Sequence, residues 1–454
     1  MGFFKGKSTI NKSGKSFGEL SKSATTATPT SPDPFPEIVV TADYEEIKNY
    51  IDVGQKLIFV TGGAGTGKST FVKWIESIYT GKILIAAPTG IAALTVSGMT
   101  IHKLCKFPPA WIVDSDIKID PKSLIPKIDI LILDEISMVN ANLLDGIDKF
   151  CKLQRKNPEP FGGLTVIMVG DLFQLPPVVT HATEPLFRRE YKSPKFFAAH
   201  ALEHSVPVAV ELSSVFRQKD SELIRLLTNI REGDEIESSV REFNSRCEIT
   251  SMPPVGAVHL APKNIDVETI NKRELEKLPV PEVTFVATLN GKFSERHLPA
   301  PDKISLRVGA QVVMLNNSKE WVNGNIGVVT SVASDRVSVK LVDSGKNIEV
   351  RTFEWKNYEY RYDEKDKRVV REVVGTFLQI PIALAWAMTI HKSQGLTLDK
   401  VHLDLGGGAF ETGQTYVALS RSRSMASISF ARKLSVSDIL VDKEAVEFYR
   451  AIRD

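Results

Sequence analysis

The sequence predicts an α/β protein: two parallel-sheet regions, with a small antiparallel β-barrel inserted into the second. Three observations predict it. Short, fully apolar runs alternate with amphipathic stretches early in the chain, the same style returns near its end, and between them, from about 306 to 375, the apolar period changes to two. Apolar runs separated by helices belong to parallel sheets covered on both faces, whereas alternation belongs to sheets with one solvated face.

Taken in order, residues 1–37 are rich in Ser, Thr, Lys and Pro and poor in large apolar side chains. They cannot offset their own ordering entropy, so a flexible tail is expected. They show no apolar signal core, no arginine of a transit peptide and no myristoylation pattern. Leu57 to Thr61 reads as the first strand, followed by a glycine-rich turn and a helix through Phe71, Trp74, Ile75 and Ile78. Ile83 to Ala87, Ile128 to Leu133 and Leu164 to Val169 read as further buried strands. Leu378 to Ala383, Val401 to Leu405 and Ile428 to Ala431 read as strands of the second sheet. In the inserted module, Gln311 to Leu315, Gly327 to Thr330, Val337 to Leu341 and Asn347 to Val350 alternate. Asn323-Gly324-Asn325 and Ser344-Gly345 supply turns between them. The expected boundaries are a tail at 1–37, a first domain at 38–200, a second at 201–305 plus 376–454, and the insertion at 306–375. No internal repeat is strong enough to assert.

The 454 residues are 43% hydrophobic and 25% charged, which excludes a wholly disordered chain, a collagen and a coiled-coil rod. The longest apolar stretch, Ile83 to Val96, is broken at Pro88-Thr89-Gly90 and is too short to cross a bilayer. A net charge of +2 announces no nucleic-acid binder, so any such site must be local. Cys105, Cys151 and Cys247 have no metal-like spacing and cannot all pair, which suits a reducing compartment.

The string Gly62-Gly63-Ala64-Gly65-Thr66-Gly67-Lys68-Ser69 fits the phosphate-loop pattern between a strand and a helix. Glycines let successive N–H groups aim at phosphate oxygens. Lys68 adds a point charge for the β- and γ-phosphates, Ser69 offers a hydroxyl to Mg²⁺, and the helix presents its N-terminus to the anion. With Thr70, these residues make up the expected nucleotide seat. Asp134-Glu135 closes an apolar strand. There Asp134 would hold Mg²⁺ through water and Glu135 would orient or deprotonate the attacking water. Gln174, after Gly170-Asp171, could sense the γ-phosphate or polarise that water. Gly406-Gly407-Gly408 lacks a following Lys-Ser/Thr, so nucleotide is expected once, on the first domain. Arg217 and Arg421 are candidate cations supplied across a cleft by the second domain.

At these residues the chain resembles the superfamily-one DNA helicases of the petite-integration-frequency (PIF) type, relatives of RecD-like motors, over about 40–454. The carrying strings are Ala385-Trp386-Ala387-Met388-Thr389-Ile390-His391-Lys392-Ser393-Gln394-Gly395-Leu396-Thr397-Leu398-Asp399-Lys400-Val401 and Gln414-Thr415-Tyr416-Val417-Ala418-Leu419-Ser420-Arg421. To these add Pro160-Phe161-Gly162-Gly163 running into Gly170 to Val178, Ala87 to Ala93, and Thr100-Ile101-His102. The resemblance implies two RecA-like domains with ATP and Mg²⁺ in the cleft and single-stranded DNA across their top. It adds Gly395 to the nucleotide contacts, and it implies that Pro88, Thr89, His102, Asn264, Thr389, His391 and Lys392 face the strand. It implies a 5′-to-3′ DNA helicase acting in replication, recombination or repair; the alternative is a RecD-like motor subunit working only inside a larger complex. Lys106 to Val113 falls where a strand-separating wedge is expected, within an insertion at about 103–120, whereas Trp321 and Trp355 read as core. The expected partners are single-stranded and forked DNA with replication or recombination proteins. The free chain is expected to be monomeric and cytoplasmic, in a prokaryote or a phage-infected host. The family's adenine-reading glutamine upstream of the loop has no counterpart in Val40 to Glu46.

Overall fold

The computed structural model describes residues 38–218, 220–293 and 298–453. The expected tail at 1–37 lies outside them.

The first lobe opens with α1 (Ala42–Asp52), capped by the Thr41 hydroxyl, which accepts from the Tyr44 N–H. Then follow β1 (Leu57–Thr61), α2 (Lys68–Ile78), β2 (Ile83–Ala87), α3 (Gly90–Thr95), β3 (Met99–Thr100), α4 (Ile101–Cys105), β4 (Ile130–Leu133), α5 (Ala141–Arg155), β5 (Thr165–Val169), α6 (Glu184–Glu190) and β6 (Val208–Glu211). The six strands are parallel in the order β3-β2-β4-β5-β1-β6. Every residue of β1, β2, β4 and β5 is buried, as expected for central strands covered on both faces. The expected boundary at 200 is corrected: β6 pairs with β1 through Val60 and Val210, so the first sheet runs to Glu211. As a partly buried edge strand of four residues, β6 offers only the short run Val208-Ala209-Val210 to announce it.

The second lobe contains α7 (Ser221–Glu232), α8 (Ile236–Arg246), β7 (Glu248–Ile249), β8 (Val258–Ala261) and α9 (Asn264–Glu276). The chain then makes a long excursion through β9 (Val283–Val286), β10 (Thr288–Gly291), β11 (Lys303–Leu306), β12 (Gln311–Met314), β13 (Ile326–Val332), β14 (Arg336–Leu341), β15 (Asn347–Arg351), β16 (Phe353–Asp363), β17 (Arg368–Gln379) and β18 (Ile382–Leu384). It returns to the second lobe with β19 (Ala387–Thr389), α10 (Ile390–Ser393), β20 (Val401–Leu403), α11 (Gln414–Leu419), β21 (Ile428–Phe430) and α12 (Lys443–Arg453). The second sheet is parallel in the order β19-β8-β20-β21-β7.

The excursion forms antiparallel sheets in the orders β15-β14-β13-β12-β18, β10-β17-β16 and β11-β9. The first packs Val312, Met314, Val337, Val339 and Val350 into a core of its own. The inserted module therefore spans Val283 to Leu384, wider than the expected 306–375. Leu378 to Ala383, expected as a parallel strand, is the end of β17 and the start of β18. Its apolar residues are covered on both faces, and periodicity cannot tell such a segment from a parallel strand. Trp321 packs against the module's core, and Trp355 packs on Phe353 and Phe377.

The β16–β17 hairpin rests on the first lobe. The Tyr360 hydroxyl and the Arg371 guanidinium both donate to the Ser97 carbonyl, Arg371 also pairs with Glu76 at 3.3 Å, and Glu359 pairs with Lys103 at 3.4 Å. The segment expected as a wedge turns most of its bulk inward. Phe107 and Ile112 are buried beside Gly146, and the Asn142 amide clasps Ile112, accepting from its N–H at 2.8 Å and donating to its carbonyl at 2.9 Å. Trp111 meets Phe187 edge-on. Among its apolar residues, Pro109, Ala110 and Val113 are the exposed ones.

Candidate active site and nucleic-acid face

The loop between β1 and α2 wraps the helix N-terminus. Gly65 and Gly67 have φ of 84° and 86°, a region that L side chains rarely adopt. A Cβ on Gly65 would also lie 2.5 Å from that of Arg217. Lys68 folds back into the loop and donates to the carbonyls of Gly62 and Gly63 at 2.8 and 3.0 Å. Burial lowers its pKa; Asp171 and Glu135 oppose that shift. Ser69 and Thr70 are exposed. Tyr44 of α1 donates its hydroxyl to the Gly67 carbonyl at 2.9 Å, and Phe216 lies against Gly67.

The acidic pair stands where β4 ends. Asp134 is 6% exposed, and burial followed by the neighbouring Glu135 charge pushes its pKa up to about 7. Glu135 adopts a left-handed φ of 50°, its pKa is raised by burial against the pull of Lys68, and its Oε2 is buried without a partner. An unpartnered carboxylate oxygen beside a lysine and a glycine cradle is placed to handle a water or a cation. A serine hydroxyl and a carboxylate are hard oxygen donors, a set that fits Mg²⁺.

The second lobe closes on this site. The Tyr416 hydroxyl of α11 accepts from the Ala64 N–H at 2.9 Å and donates to Asp171 Oδ2 at 3.0 Å. Burial and then Asp171 raise its pKa, so it remains a donor. Asp171 is fully buried. Burial alone would raise its pKa, but Arg231 and Lys68, helped by hydrogen bonds from Gln174 and the Phe173 N–H, hold it below the ordinary value. Gln174 donates to Asp171 at 3.1 Å and accepts from Gln394 Nε2 at 3.0 Å. Gly413 (φ 74°) approaches so closely that a Cβ there would lie 2.3 Å from the Phe173 carbonyl.

The two arginines sit differently from the sequence expectation. Arg217 follows β6 of the first sheet, lies on Gly65 and reaches across to the Ser420 carbonyl at 3.3 Å. Arg421 belongs to the second lobe and is 1% exposed. Its guanidinium donates within that lobe, to Val417 O at 2.8 Å, Ser420 Oγ at 2.7 Å, Ser393 O at 3.3 Å and Leu396 O at 3.4 Å. Burial, then Arg217, push its pKa down to about 9. Gly395, at φ 82°, opens onto free space.

Sequence reasoning assigned no role to Arg231, Gln218, Tyr416 or Gln394. Arg231 is 5% exposed, pairs with Asp171, Glu211 and Glu232, and lies over the rings of Phe173 and Tyr449. Buried Gln218 donates to the carbonyls of Ser420 and Ser422. Tyr416 and Gln394 stood inside the quoted strings, but nothing in a string says which side chain crosses to the other lobe.

The residues expected at DNA fall on the carboxyl ends of both sheets. Thr89 caps α3 and Thr100 caps α4, each hydroxyl accepting from the N–H three residues on. Thr389 caps α10 in the same way. Pro88 and His102 are partly buried, and burial lowers the pKa of His102. His391 is exposed and pairs with Glu411 at 3.1 Å; Lys392 is exposed and Asn264 opens α9.

The fold and site define a phosphate-loop NTPase in which two RecA-like lobes share one cleft. The family model described as PIF1-like helicase matches residues 41–241. The ATP-dependent DNA helicase PIF1 of Rattus norvegicus is 33% identical over 87% of this chain and 62% of its own. The ATP-dependent DNA helicase Pif1 of Bdellovibrio bacteriovorus is 31% identical over 87% of this chain and 88% of its own. The crystal structure of Bacteroides sp Pif1 with ADP-AlF4 superposes with a TM-score of 0.86 at 34% identity, covering 92% of this chain and 98% of that one. The form of Bacteroides Pif1 with ADP-AlF3 and ssDNA gives 0.65 at the same identity and coverages. The chain belongs to the PIF1-like helicase family, and it spans about three fifths of the length of the rat relative.

Proposed function

We propose that this chain is an ATP-dependent DNA helicase that moves 5′ to 3′ along single-stranded DNA. The observation that carries the proposal is the cleft itself, where a phosphate loop on one lobe is touched by Tyr416 of the other. Lys68 leaves the two carbonyls it now satisfies and meets the β- and γ-phosphates, while the loop N–H groups and Thr66, Ser69 and Thr70 hold the remaining oxygens. Ser69 and Asp134 would hold Mg²⁺, which would supply charge neutralisation for the phosphates. Glu135 takes the proton of the attacking water, which Gln174 orients, and Arg217 and Arg421 stabilise charge on the transferred phosphoryl. Gly395 lines the same seat from the second lobe.

Pro88, Thr89, His102, Asn264, Thr389, His391 and Lys392 grip the strand through backbone and phosphate contacts that ignore sequence. ATP drawn between the lobes closes the cleft and hydrolysis releases it, so alternating grips advance the motor. One base-pair step costs about 1.4 kcal/mol to separate, well within one hydrolysis. The proposed substrates are single-stranded and forked DNA; the proposed setting is the cytoplasm, in replication, recombination or repair. No helix among the described residues is long and apolar enough to cross a membrane.

Strand displacement with ATP and Mg²⁺ on duplexes carrying a 5′ or a 3′ single-stranded tail tests the proposal. Unwinding of the 5′-tailed duplex alone is expected. Unwinding from the 3′ tail overturns the polarity, and failure on both with purified chain overturns an autonomous helicase.

A further inference from the structure

A continuous line of hydrogen bonds joins the phosphate loop to the DNA-facing turn of the second lobe. It runs from the Ala64 N–H to the Tyr416 hydroxyl, on to Asp171, back from the Gln174 amide that donates to Asp171, and ends at Gln394, whose Nε2 donates to Gln174 Oε1. The four bonds measure 2.9 to 3.1 Å, within the range of well-formed hydrogen bonds. Both polar atoms of the Gln174 side chain are therefore occupied. One is held by its own lobe and the other by the opposite one.

Gln394 is not a loose surface glutamine. Its N–H donates to the His391 carbonyl at 3.1 Å, and the flanking carbonyls of Ser393 and Leu396 both receive the Arg421 guanidinium. The Ser393 hydroxyl donates to the Ile390 carbonyl at 2.7 Å. The segment from Thr389 to Leu396 is thus one braced piece. His391 and Lys392 are exposed at one end of it, and Gln394 meets the first lobe at the other. A displacement of this turn by a few tenths of an ångström lengthens the Gln394–Gln174 bond, because hydrogen bonds weaken steeply with distance and angle.

We infer that Gln394 is a positioning residue that clasps Gln174 away from the attacking water until DNA at the Thr389–Lys392 turn draws the clasp open. Gln174, once released, is free to turn its amide toward the phosphate seat beside Asp171. The inference rests on the helicase reading, because it assigns the water-orienting role to Gln174 and the strand contact to the turn.

The test is steady-state ATP hydrolysis by the full chain, with and without saturating oligo(dT), for wild type, Gln394→Ala and Gln394→Glu. Neither substitution leaves an N–H to donate to Gln174 Oε1. In both variants the rate without DNA should rise about five-fold, the equivalent of one ordinary hydrogen bond. The rate at saturating oligo(dT) and the KM for ATP should stay within about two-fold, and so should the oligonucleotide Kd, which a merely structural disruption of the turn would not spare. An unchanged or lower DNA-free rate in both variants, in a wild type that DNA does stimulate, overturns the clasp and leaves the helicase reading standing. A wild type that DNA does not stimulate overturns both.

Discussion

The two lobes carry the same pair of turns at the same place in their sheets, and only one of them carries a phosphate loop. In the first lobe β2 ends in Ala87-Pro88-Thr89, and β3 beside it, at the sheet edge, leads into Thr100-Ile101-His102-Lys103. In the second, β8 ends in Ala261-Pro262-Lys263, and β19 beside it, again at the edge, leads into Thr389-Ile390-His391-Lys392. The registers match as well: Ala87 lies opposite Thr100, and Ala261 opposite Thr389. Each threonine caps the short helix that follows it. Two like turns at like positions suit the proposed passing of a strand from one lobe to the other. The unlike parts, a cradle on one side and Arg421 with Tyr416 on the other, suit a site that works only when the lobes meet.

The sharpest way to break the comparison is to remove the element that only one lobe owns. Lys68→Ala should lower DNA-stimulated ATP hydrolysis by about 10³-fold or more while single-strand binding persists; a phosphate-release assay beside an anisotropy titration reads both. Arg421→Lys, the counterpart on the other lobe, should keep nucleotide binding yet lose turnover by about 10³-fold. Near wild-type turnover there would mean that its bonds to Val417, Ser393 and Leu396 are its whole role.

The two turns differ in one measurable respect. Lys103 is paired with Glu359 of the inserted hairpin, whereas Lys392 has no ion pair among the described residues. Lys392→Ala should therefore weaken oligonucleotide binding about ten-fold, and Lys103→Ala only about three-fold, each effect shrinking as salt is raised. Equal losses would show that DNA breaks the Glu359 pair at no cost. The smallest effect concerns protons. Asp134 titrates near 7 because burial and Glu135 raise it, and a protonated carboxyl does not hold a cation. Mg²⁺-dependent binding of ADP should weaken as pH falls through about 7, by up to about ten-fold per unit, and level off above it. A flat profile between roughly pH 6 and 8 would remove Asp134 from the cation site.

Much of this was legible in the sequence, for physical reasons that differ by region. The central strands of the first sheet were readable because burial on both faces leaves unbroken apolar runs. The phosphate loop was readable because few residue types satisfy its backbone. The repeat of the two turns was not. Thr89 and Thr100 are separated by one short helix, but the whole inserted module lies between Lys263 and Thr389, so no fixed period exists to detect. β6 does not stand out because it is a four-residue, partly solvated edge strand, and the module's extent is hidden because the junction of β17 and β18, from Gln379 to Ile382, is buried throughout. The cross-lobe bonds of Tyr416, Gln394 and Arg217 depend on how the lobes meet, which residue spacing does not encode. That Lys263 stands at the cap of α9 where Thr89 stands at the cap of α3 emerges only from that structural match.

Directed movement without any duplex to open tests the two-lobe account most directly. Streptavidin displacement from oligonucleotides biotinylated at one end reads it, with ATP and Mg²⁺ present. Rapid clearance from the 3′ end, absent at the 5′ end and absent in Lys68→Ala, is the predicted result. Clearance that ignores the end, or that survives without Lys68, would contradict a motor driven by closure of this cleft.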